Sequence, residues 1–159
     1  MIPPKVSLLI PVFNGESFLA ECLDSVLAQD FADMEILIAD DDSTDGSRVL
    51  IEKYAARDPR IRWWKNSCNL GLSANFNCCL RAARGEYIKF VLQDDKLLSP
   101  TTVRLMVAVL NNGLSWTLVG SASLVLNKHS QAIELRRCFK PGIHQGWKIV
   151  RNCLEQSAN

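Results

Sequence analysis

Two apolar runs that end abruptly in carboxylates constrain the fold of this 159-residue chain more than any other feature. The run Phe90-Val91-Leu92 leads into Gln93-Asp94-Asp95, and the run Glu35-Ile36-Leu37-Ile38-Ala39 leads into Asp40-Asp41-Asp42. Neighbouring like charges repel, so a buried strand gains nothing from such acids and usually delivers them to a cleft. In open α/β sheets, ligands bind outside the carboxyl ends of the strands. We therefore expect the fold to bring these two acidic strand ends together.

The first part of the chain alternates strand and helix patterns. Apolar segments typical of buried parallel strands cover Lys5–Phe13 and Glu35–Ala39, and a short strand is expected at Ile61–Lys65. Between them, residues 17–29 place their apolar side chains on one helical face, and a second helix runs to about Ala56. This β-α-β-α-β order predicts an α/β fold with a Rossmann-like, doubly wound, mostly parallel sheet that has helices on both faces.

Further elements follow in the same manner. The patterns predict a helix at Ser73–Ala83, a strand at Glu86–Leu92, a helix opened by Ser99-Pro100, strands at Leu114–Leu126 and Ile133–Phe139, and a last helix at about Gln145–Leu154. Two local features are also expected. Pro11 should end the first strand, because proline cannot donate to the ladder. Asp42 or Ser43 should cap the second helix.

Composition and length limit the class of protein. Residues 1–159, with 48% apolar and 22% charged residues, suit a single globular domain. The net charge of +1 argues against nucleic acid as a partner. No apolar run approaches the roughly 20 residues of a membrane-spanning helix, and the N-terminus lacks the regions of a signal peptide. We therefore expect a cytoplasmic chain, either free or at the cytoplasmic face of a membrane.

Several common site motifs are missing. The sequence has no Gly-x-Gly-x-x-Gly after the first strand, no Gly-Lys-Ser or Gly-Lys-Thr, no Gly-x-Ser-x-Gly and no Cys-x-x-Cys. A dinucleotide fingerprint, a P-loop, a nucleophile elbow and a paired-cysteine zinc site are therefore excluded as motifs. A phosphate-bearing ligand has to be held by something other than a glycine cradle.

The acidic strand ends each have a functional and a structural interpretation. Asp94 and Asp95 are hard oxygen donors suited to Mg²⁺ or Mn²⁺, which share their remaining positions with water and substrate phosphates. The alternative is a solvated turn, or a cap for the helix near Ser99. In the segment Asp40-Asp41-Asp42, one acid could cap a helix, or a carboxylate could accept a hydrogen bond from the imide N–H of a base. Both interpretations remain open at this point.

An amide-rich loop and two aromatic residues invite the same comparison. Residues 66–77 contain four asparagines, of which Asn69 suits a turn and Asn75 lies where a helix is expected. A structural amide network explains them as well as ligand contact does. Trp63 and Trp64 could stack on a ligand, but the simpler interpretation packs one of them in the core.

Taken in order, the motifs resemble those of family 2 glycosyltransferases, which have the GT-A fold and use nucleotide-sugar donors. The motifs are 6–14 (Val-Ser-Leu-Leu-Ile-Pro-Val-Phe-Asn), 39–47 (Ala-Asp-Asp-Asp-Ser-Thr-Asp-Gly-Ser), 69–73 (Asn-Leu-Gly-Leu-Ser), 83–88 (Ala-Arg-Gly-Glu-Tyr-Ile) and Asp94-Asp95. The match covers roughly residues 5–110. Each motif is weak alone, but together, in this order and spacing, they are specific.

The resemblance implies roles for particular residues. The residues implied to bind the nucleotide sugar are Pro11, Val12, Phe13, Asn14, Asp41, Asn69 and Asp94. Within this set, the segment at the end of the first strand packs around the base, and Asp41 reads it. Asp94 and Asp95 match the Asp-x-Asp region, which binds the ribose and the Mn²⁺ or Mg²⁺ on the diphosphate.

The chain also departs from the family pattern. Leu92 stands where many members have an aspartate, Asp42 replaces a common glycine, and Phe76 stands where an arginine is frequent. Members of the family continue into a region that supplies the general base and much of the acceptor site. After Asp95 the only acids are Glu134 and Glu155, and neither sits in that pattern.

The sequence therefore predicts the donor-binding part of a longer, inverting glycosyltransferase, truncated before the general base and inactive or weak alone. Its donor is expected to be a nucleotide sugar, with a UDP-sugar as the first choice, and the acceptor is a glycan, a lipid or a protein that the sequence does not specify. A homo-oligomer or a missing C-terminal region could complete it. The alternative is a non-catalytic nucleotide-sugar-binding or regulatory domain. A nucleotidyltransferase is a weaker third hypothesis, because its glycine- and lysine-rich loop is absent.

Overall fold

The computed structural model describes residues 2–112, 117–126 and 131–136. The chain divides into two compact units, Met1–Val107 and Ala108–Asn159. The strands are β1 (Val6–Val12), β2 (Met34–Asp40), β3 (Ile61–Lys65), β4 (Tyr87–Phe90), β5 (Ser123–Leu126) and β6 (Ala132–Arg136). The helices are α1 (Glu16–Leu27), α2 (Ser47–Ala55), α3 (Leu72–Ala82) and α4 (Thr102–Asn112). The alternation predicted from the sequence is confirmed.

The first unit is built on a four-stranded sheet in which every pairing is parallel. The strand order is β3-β2-β1-β4, so β1 and β2 are central. In register, Val6 lies opposite Met34 on one side and Tyr87 on the other. All residues of β1 and β2 are buried, as their continuous apolar sequences predict. The loops that follow the four strands consequently emerge at one edge of the sheet.

Helices cover both faces of this sheet. One face packs against α1, α2 and the start of α4, through a set of fully or nearly fully buried apolar residues: Leu19, Cys22, Leu23, Val26, Ile51, Tyr54, Val103 and Val107. The other face packs against α3 through Cys79, which meets Leu9, Leu37 and Ala39 of the central strands. The prediction of a doubly wound α/β fold is confirmed. Phe18, predicted on the buried face of the first helix, is instead exposed.

Pro11 does not end the first strand, contrary to the sequence prediction. It lies within β1, opposite Ala39 of β2. The Val12 carbonyl accepts a hydrogen bond from the Asp41 N–H, so the backbone groups of Leu9 and Pro11 point away from β2, toward β4. On that side the ladder ends at the pair Leu9–Phe90. A proline is tolerated here because no strand on that side requires its missing N–H.

Several element boundaries differ from the predictions. The second helix begins only at Ser47, with Gly46 before it and no side-chain cap, so neither Asp42 nor Ser43 caps it. The fourth helix begins at Thr102, although the Ser99 carbonyl does accept the Thr102 N–H. Of the long strand predicted over 114–126, the described residues show only β5. The helix predicted at 145–154 lies outside the described residues.

The second unit contains an antiparallel hairpin. Strands β5 and β6 pair with a register shift between Val125 and Leu126. Every residue of β6 is exposed, and the residues of β5 are exposed or half-buried. In neither unit does a described helix have the length and apolar character needed to cross a lipid bilayer.

A buried carboxylate organises the amino edge of the sheet. Glu35 lies at the start of β2 and accepts hydrogen bonds from Ser7 Oγ (2.7 Å), Arg84 N (2.8 Å) and Arg62 Nη1 (2.7 Å). Burial acts to raise the pKa of Glu35, but these hydrogen bonds outweigh it and hold the pKa below its ordinary value. At Gly85 a Cβ would lie 2.4 Å from the Ser7 N, so only glycine lets the chain approach this closely.

We predict that Glu35→Ala lowers the free energy of unfolding by about 2–3 kcal/mol near neutral pH, because two guanidinium groups lose a buried partner. Since the folded-state pKa of Glu35 is lowered, its contribution is present above the unfolded-state pKa. The contribution is lost as the pH falls through the folded-state value. Urea denaturation of the wild type and the variant across acidic pH measures this difference.

The matched control is Glu86→Ala, which removes an exposed ion pair with Lys5 at the same edge. Because solvent screens that pair, its loss should have little effect on the unfolding midpoint. An equal destabilisation by the two substitutions would contradict the role given to Glu35.

Candidate functional site

At the carboxyl edge of the sheet, the loops after β1 and β2 are bound to each other. Asn14 follows β1 with a positive φ of 49°. Its N–H donates to Ser43 Oγ (2.9 Å), and its Oδ1 accepts from Thr44 N (2.8 Å). The next amide, Gly15 N, donates to the buried Ser47 Oγ (2.8 Å). These contacts hold the exposed Phe13 and Asn14 against the loop that carries the three aspartates.

The N-termini of α1 and α2 cap each other across this contact. Asp45 accepts from Glu16 N and from Ser47 N, both at 3.0 Å, and Glu16 in turn accepts from Gly46 N at 3.0 Å. Burial acts to raise the pKa of Asp45, but the hydrogen bonds from Ser47 and Glu16 outweigh it and lower the pKa. Asp45, two residues before α2, thus satisfies one orphan amide in each of the two helices.

Asp41 is the most tightly held carboxylate at this edge. It is buried, and its Oδ1 accepts from Asn66 Nδ2 (2.7 Å) and Leu70 N (2.9 Å). Its Oδ2 accepts from Gly71 N (2.9 Å). A carboxylate offers about four lone-pair sites, so three are used within the protein and one remains on Oδ2.

Two buried asparagines, Asn66 and Asn75, form an amide network that holds Asp41 in place. Asn66 Nδ2 also donates to Asn75 Oδ1 (3.0 Å), and Asn75 Nδ2 donates to the Ala39 carbonyl (3.0 Å). Asn69 is exposed, and its Oδ1 accepts from Gly71 N (3.0 Å). The structural interpretation of this loop is therefore correct for Asn66 and Asn75, whose role in fixing Asp41 the sequence did not reveal. Only their burial could have shown it.

The three consecutive aspartates occupy different environments, which relieves their mutual repulsion. Asp40 is fully buried, with Oδ1 accepting from Ser43 N (3.2 Å), while its Oδ2 has no hydrogen-bond partner among the described residues. Asp42 has a positive φ of 63° and pairs with Lys65 at 2.6 Å. Because adjacent side chains leave a strand in opposite directions, Asp40 and Asp41 face opposite sides of the sheet.

Asp94 and Asp95 lie in the turn after β4, and both are exposed. The Asp95 N–H donates to the Leu92 carbonyl (2.9 Å), which also accepts from Cys22 Sγ (3.3 Å). Burial, together with these two carboxylates, raises the pKa of Cys22 to about 12, so its thiol stays protonated. Burial lowers the pKa of Lys89 on β4, and Asp95 opposes that shift.

The geometry suits a cation that takes few protein ligands. Within the described ranges, no group of three or more His, Cys, Asp or Glu could hold a metal ion. Asp94 and Asp95 offer a set of two adjacent carboxylates in the turn after β4. That set fits Mg²⁺ or Mn²⁺ bound jointly with phosphates, and it does not fit a closed protein cage.

The structure places the candidate residues on three adjacent strand ends. Asp41 follows β2, Phe13 and Asn14 follow β1, and Asp94 follows β4. Two strand spacings, about 10 Å, separate the outer two of these strands. Pro11 and Val12, also named as nucleotide-binding, are buried within β1. Trp63 and Trp64 are half-buried and pack against the two core clusters, which supports their core interpretation.

Comparison with known proteins finds glycosyltransferase relatives that match most of the chain. The family model described as glycosyl transferase family 2 matches residues 7–150. The GalNAc(5)-diNAcBac-PP-undecaprenol beta-1,3-glucosyltransferase of Campylobacter jejuni is 36% identical over 104 residues. That match covers 65% of this chain and 34% of the relative.

Two solved structures share the fold. The Staphylococcus aureus TarS fragment 1–349 in complex with UDP-GlcNAc has a TM-score of 0.64 at 25% identity, covering 79% of this chain and 41% of that one. The mannosyltransferase PcManGT from Pyrobaculum calidifontis, in complex with GDP-Man and Mn²⁺, has a TM-score of 0.59 at 24% identity. That match covers 65% of this chain and 31% of that one, so the chain spans less than half the length of these relatives.

The parallel sheet, its helices on both faces and the motif order agree with these matches. The structural neighbours are GT-A glycosyltransferases. The chain belongs to glycosyl transferase family 2.

Proposed function

We propose that this chain carries the donor and metal site of an inverting glycosyltransferase that transfers a sugar from a nucleotide sugar, preferably a UDP-sugar. One observation carries the proposal. Asp41 is a buried carboxylate with one acceptor position left, and it lies across β1 from the exposed pair Asp94 and Asp95. This arrangement offers a base-reading group and a diphosphate-binding group at the two ends of one edge.

The base-reading end selects by hydrogen-bond chemistry. The remaining lone pair on Asp41 Oδ2 can accept one further N–H. Uracil, thymine and guanine present such an imide or lactam N–H, whereas cytosine and adenine present a ring acceptor at the equivalent position. Because three protein donors already fix the carboxylate, little reorganisation accompanies binding of the base. The exposed Phe13 beside it offers an apolar surface to the base.

The other end suits the diphosphate. Asp94 and Asp95 would hold Mn²⁺ or Mg²⁺, and Asp94 would also contact the ribose. The bound cation supplies charge neutralisation for the departing diphosphate. Asp94 and Asp95 themselves would hold the donor by its diphosphate end. The Mn²⁺ and GDP-Man in the mannosyltransferase structure support this assignment.

The acceptor side is not assigned to residues of this chain. Of the acids after Asp95, Glu134 is exposed on β6 and pairs with Arg136 at 3.0 Å, and Glu155 lies outside the described residues. This observation favours a second candidate, a nucleotide-sugar-binding or regulatory domain without its own general base. A homo-oligomer, a further C-terminal region and a cytoplasmic location all stay predictions.

Titration of the protein with UDP, GDP and TDP, with and without Mn²⁺, tests the donor site by calorimetry. We expect Mn²⁺-dependent binding, with UDP preferred. Asp95→Asn should remove the metal dependence, because the pair loses one of its two charges. The control Asp33→Asn changes an exposed aspartate just before β2, at the opposite edge, and should leave binding unchanged. Absence of metal-dependent nucleotide binding by the wild type would refute the proposal.

We predict that Asp41→Asn weakens UDP binding about tenfold or more, because an amide cannot accept from three protein donors and a base N–H together. The matched control is Asp42→Asn, which alters only a half-exposed pair with Lys65 and should change the UDP affinity little. Calorimetry gives both affinities, and thermal unfolding shows whether the two variants remain folded. Equal affinities for the two variants would contradict the role of Asp41.

A further inference from the structure

The side chain of Gln93 makes two hydrogen bonds with the backbone of a single residue. Its Oε1 accepts from Phe13 N (2.8 Å), and its Nε2 donates to the Phe13 carbonyl (3.0 Å). This pairing imitates a β-ladder contact beyond the point where the ladder stops. The last pair between β1 and β4 is Leu9–Phe90, followed by one hydrogen bond from Val91 N to the Leu9 carbonyl (3.0 Å). Gln93 therefore joins the two strand ends where the backbone no longer does.

Space for this amide is kept by Gly15. A Cβ on Gly15 would lie 2.5 Å from Gln93 Oε1 and 2.7 Å from its Cδ. The φ of Gly15 is −100°, which any residue can adopt, so conformation does not require glycine here. The requirement is steric, and its cause is the Gln93 amide. Gly15 is thus a second residue on which the contact between Gln93 and Phe13 depends.

The position of this contact gives it a function. Gln93 directly precedes Asp94, and Phe13 directly precedes Asn14, which is bound to the loop that follows Asp41. The amide is therefore the side-chain link between the segment beside the base and the turn with the two carboxylates. A nucleoside diphosphate has to reach both ends at once, so binding depends on their separation.

We propose that Gln93 is a positioning residue that sets the separation between the base-binding and diphosphate-binding ends of the donor site. The inference rests on the proposed donor site and deepens it. Without Gln93 the base-binding and diphosphate-binding residues are all still present, but the distance between the two groups is no longer fixed. Nucleotides with a metal-bound diphosphate then lose affinity, because part of their binding free energy is spent on ordering the site.

The chemistry of the contact provides a sharp test. The amide presents one acceptor and one donor to the N–H and C=O of Phe13. In Gln93→Glu, an ionised carboxylate still accepts from the N–H but sets a second oxygen against the carbonyl. A protonated carboxyl restores the donor and thus the pattern of the amide. Hydrogen bonding to the neutral form raises the pKa of such a carboxyl above its ordinary value.

We predict that Gln93→Glu binds UDP with Mn²⁺ about tenfold more weakly than the wild type near neutral pH. At about pH 5, where the introduced carboxyl takes up a proton, the ratio of the two affinities should fall to about twofold or less. Comparing the variant with the wild type at each pH cancels the titration of groups remote from residue 93, but Asp94 and Asp95 couple to the introduced carboxyl, so the ratio is read together with the Gly15 cycle. Calorimetry at both pH values measures the ratio.

Gln29→Glu is the matched control for a merely structural effect. Gln29 is another side-chain amide with both ends engaged, although it is buried where Gln93 is half-buried; it donates to the Ser99 carbonyl (2.9 Å) and accepts from Val103 N (3.0 Å). It lies beyond the C-terminus of α1, at the other end of that helix from Gly15. Its substitution should lower the melting temperature but leave the UDP affinity of the folded protein unchanged at both pH values.

A double-mutant cycle of Gly15 and Gln93 tests the contact between Gln93 and Phe13 independently. We predict that Gly15→Ala weakens UDP binding in the wild-type background, because the new methyl group displaces the Gln93 amide. In a Gln93→Ala background the same change should have a much smaller further effect, since the amide is gone and only the Cβ of residue 93, at 3.3 Å, remains close to the new methyl group. Additive losses would overturn the inference even if Gln93→Glu failed to fold.

The outcomes separate the two proposals. If the wild type binds no nucleotide in the presence of Mn²⁺, the donor site fails and this inference falls with it. If the wild type binds UDP but Gln93→Glu binds equally well at both pH values, only the positioning role is refuted. A loss of affinity that does not recover at low pH, together with an additive cycle, also refutes it.

Discussion

The parallel pairing of β1 with β2, buried on both faces, is the constraint on which the rest of the first unit depends. A parallel pair forces each connection to cross back over the sheet, so the loops after all four strands emerge at one edge. Each of those loops carries polar residues that the strands themselves could not bury. The hydrophobic core and the candidate site are therefore two results of the same pairing.

The buried acids at the two edges of the sheet have different hydrogen-bond partners. At the amino edge, Glu35 is matched by two guanidinium groups, so its charge is neutralised within the fold. At the carboxyl edge, Asp41 is matched only by neutral N–H donors, and its negative charge remains. Neutral donors stabilise a carboxylate without cancelling its field, which leaves the group available to a further N–H. This difference distinguishes an acid that serves the fold from one suited to a ligand.

Much of the architecture follows from sequence patterns that have a local physical cause. Continuous apolar runs predicted β1 and β2, because such sequences are typical of strands buried on both faces. Local rules failed where a neighbour changed the requirement. Pro11 lies inside β1 because the β4 ladder stops at Phe90. The second helix starts at Ser47 because Asp45, shared with the first helix, satisfies its amides instead of an adjacent cap.

The sequence by itself determined that acids follow two of the buried strands, and hence that they would meet at one edge. It did so because strand periodicity and charge are properties of the local chain. Only the tertiary structure decided what each acid does there. Asn66 reaches Asp41 across 25 residues, and Gln93 reaches Phe13 across 80. Such contacts depend on strand order and on the space that Gly15 leaves open, and no local pattern encodes them.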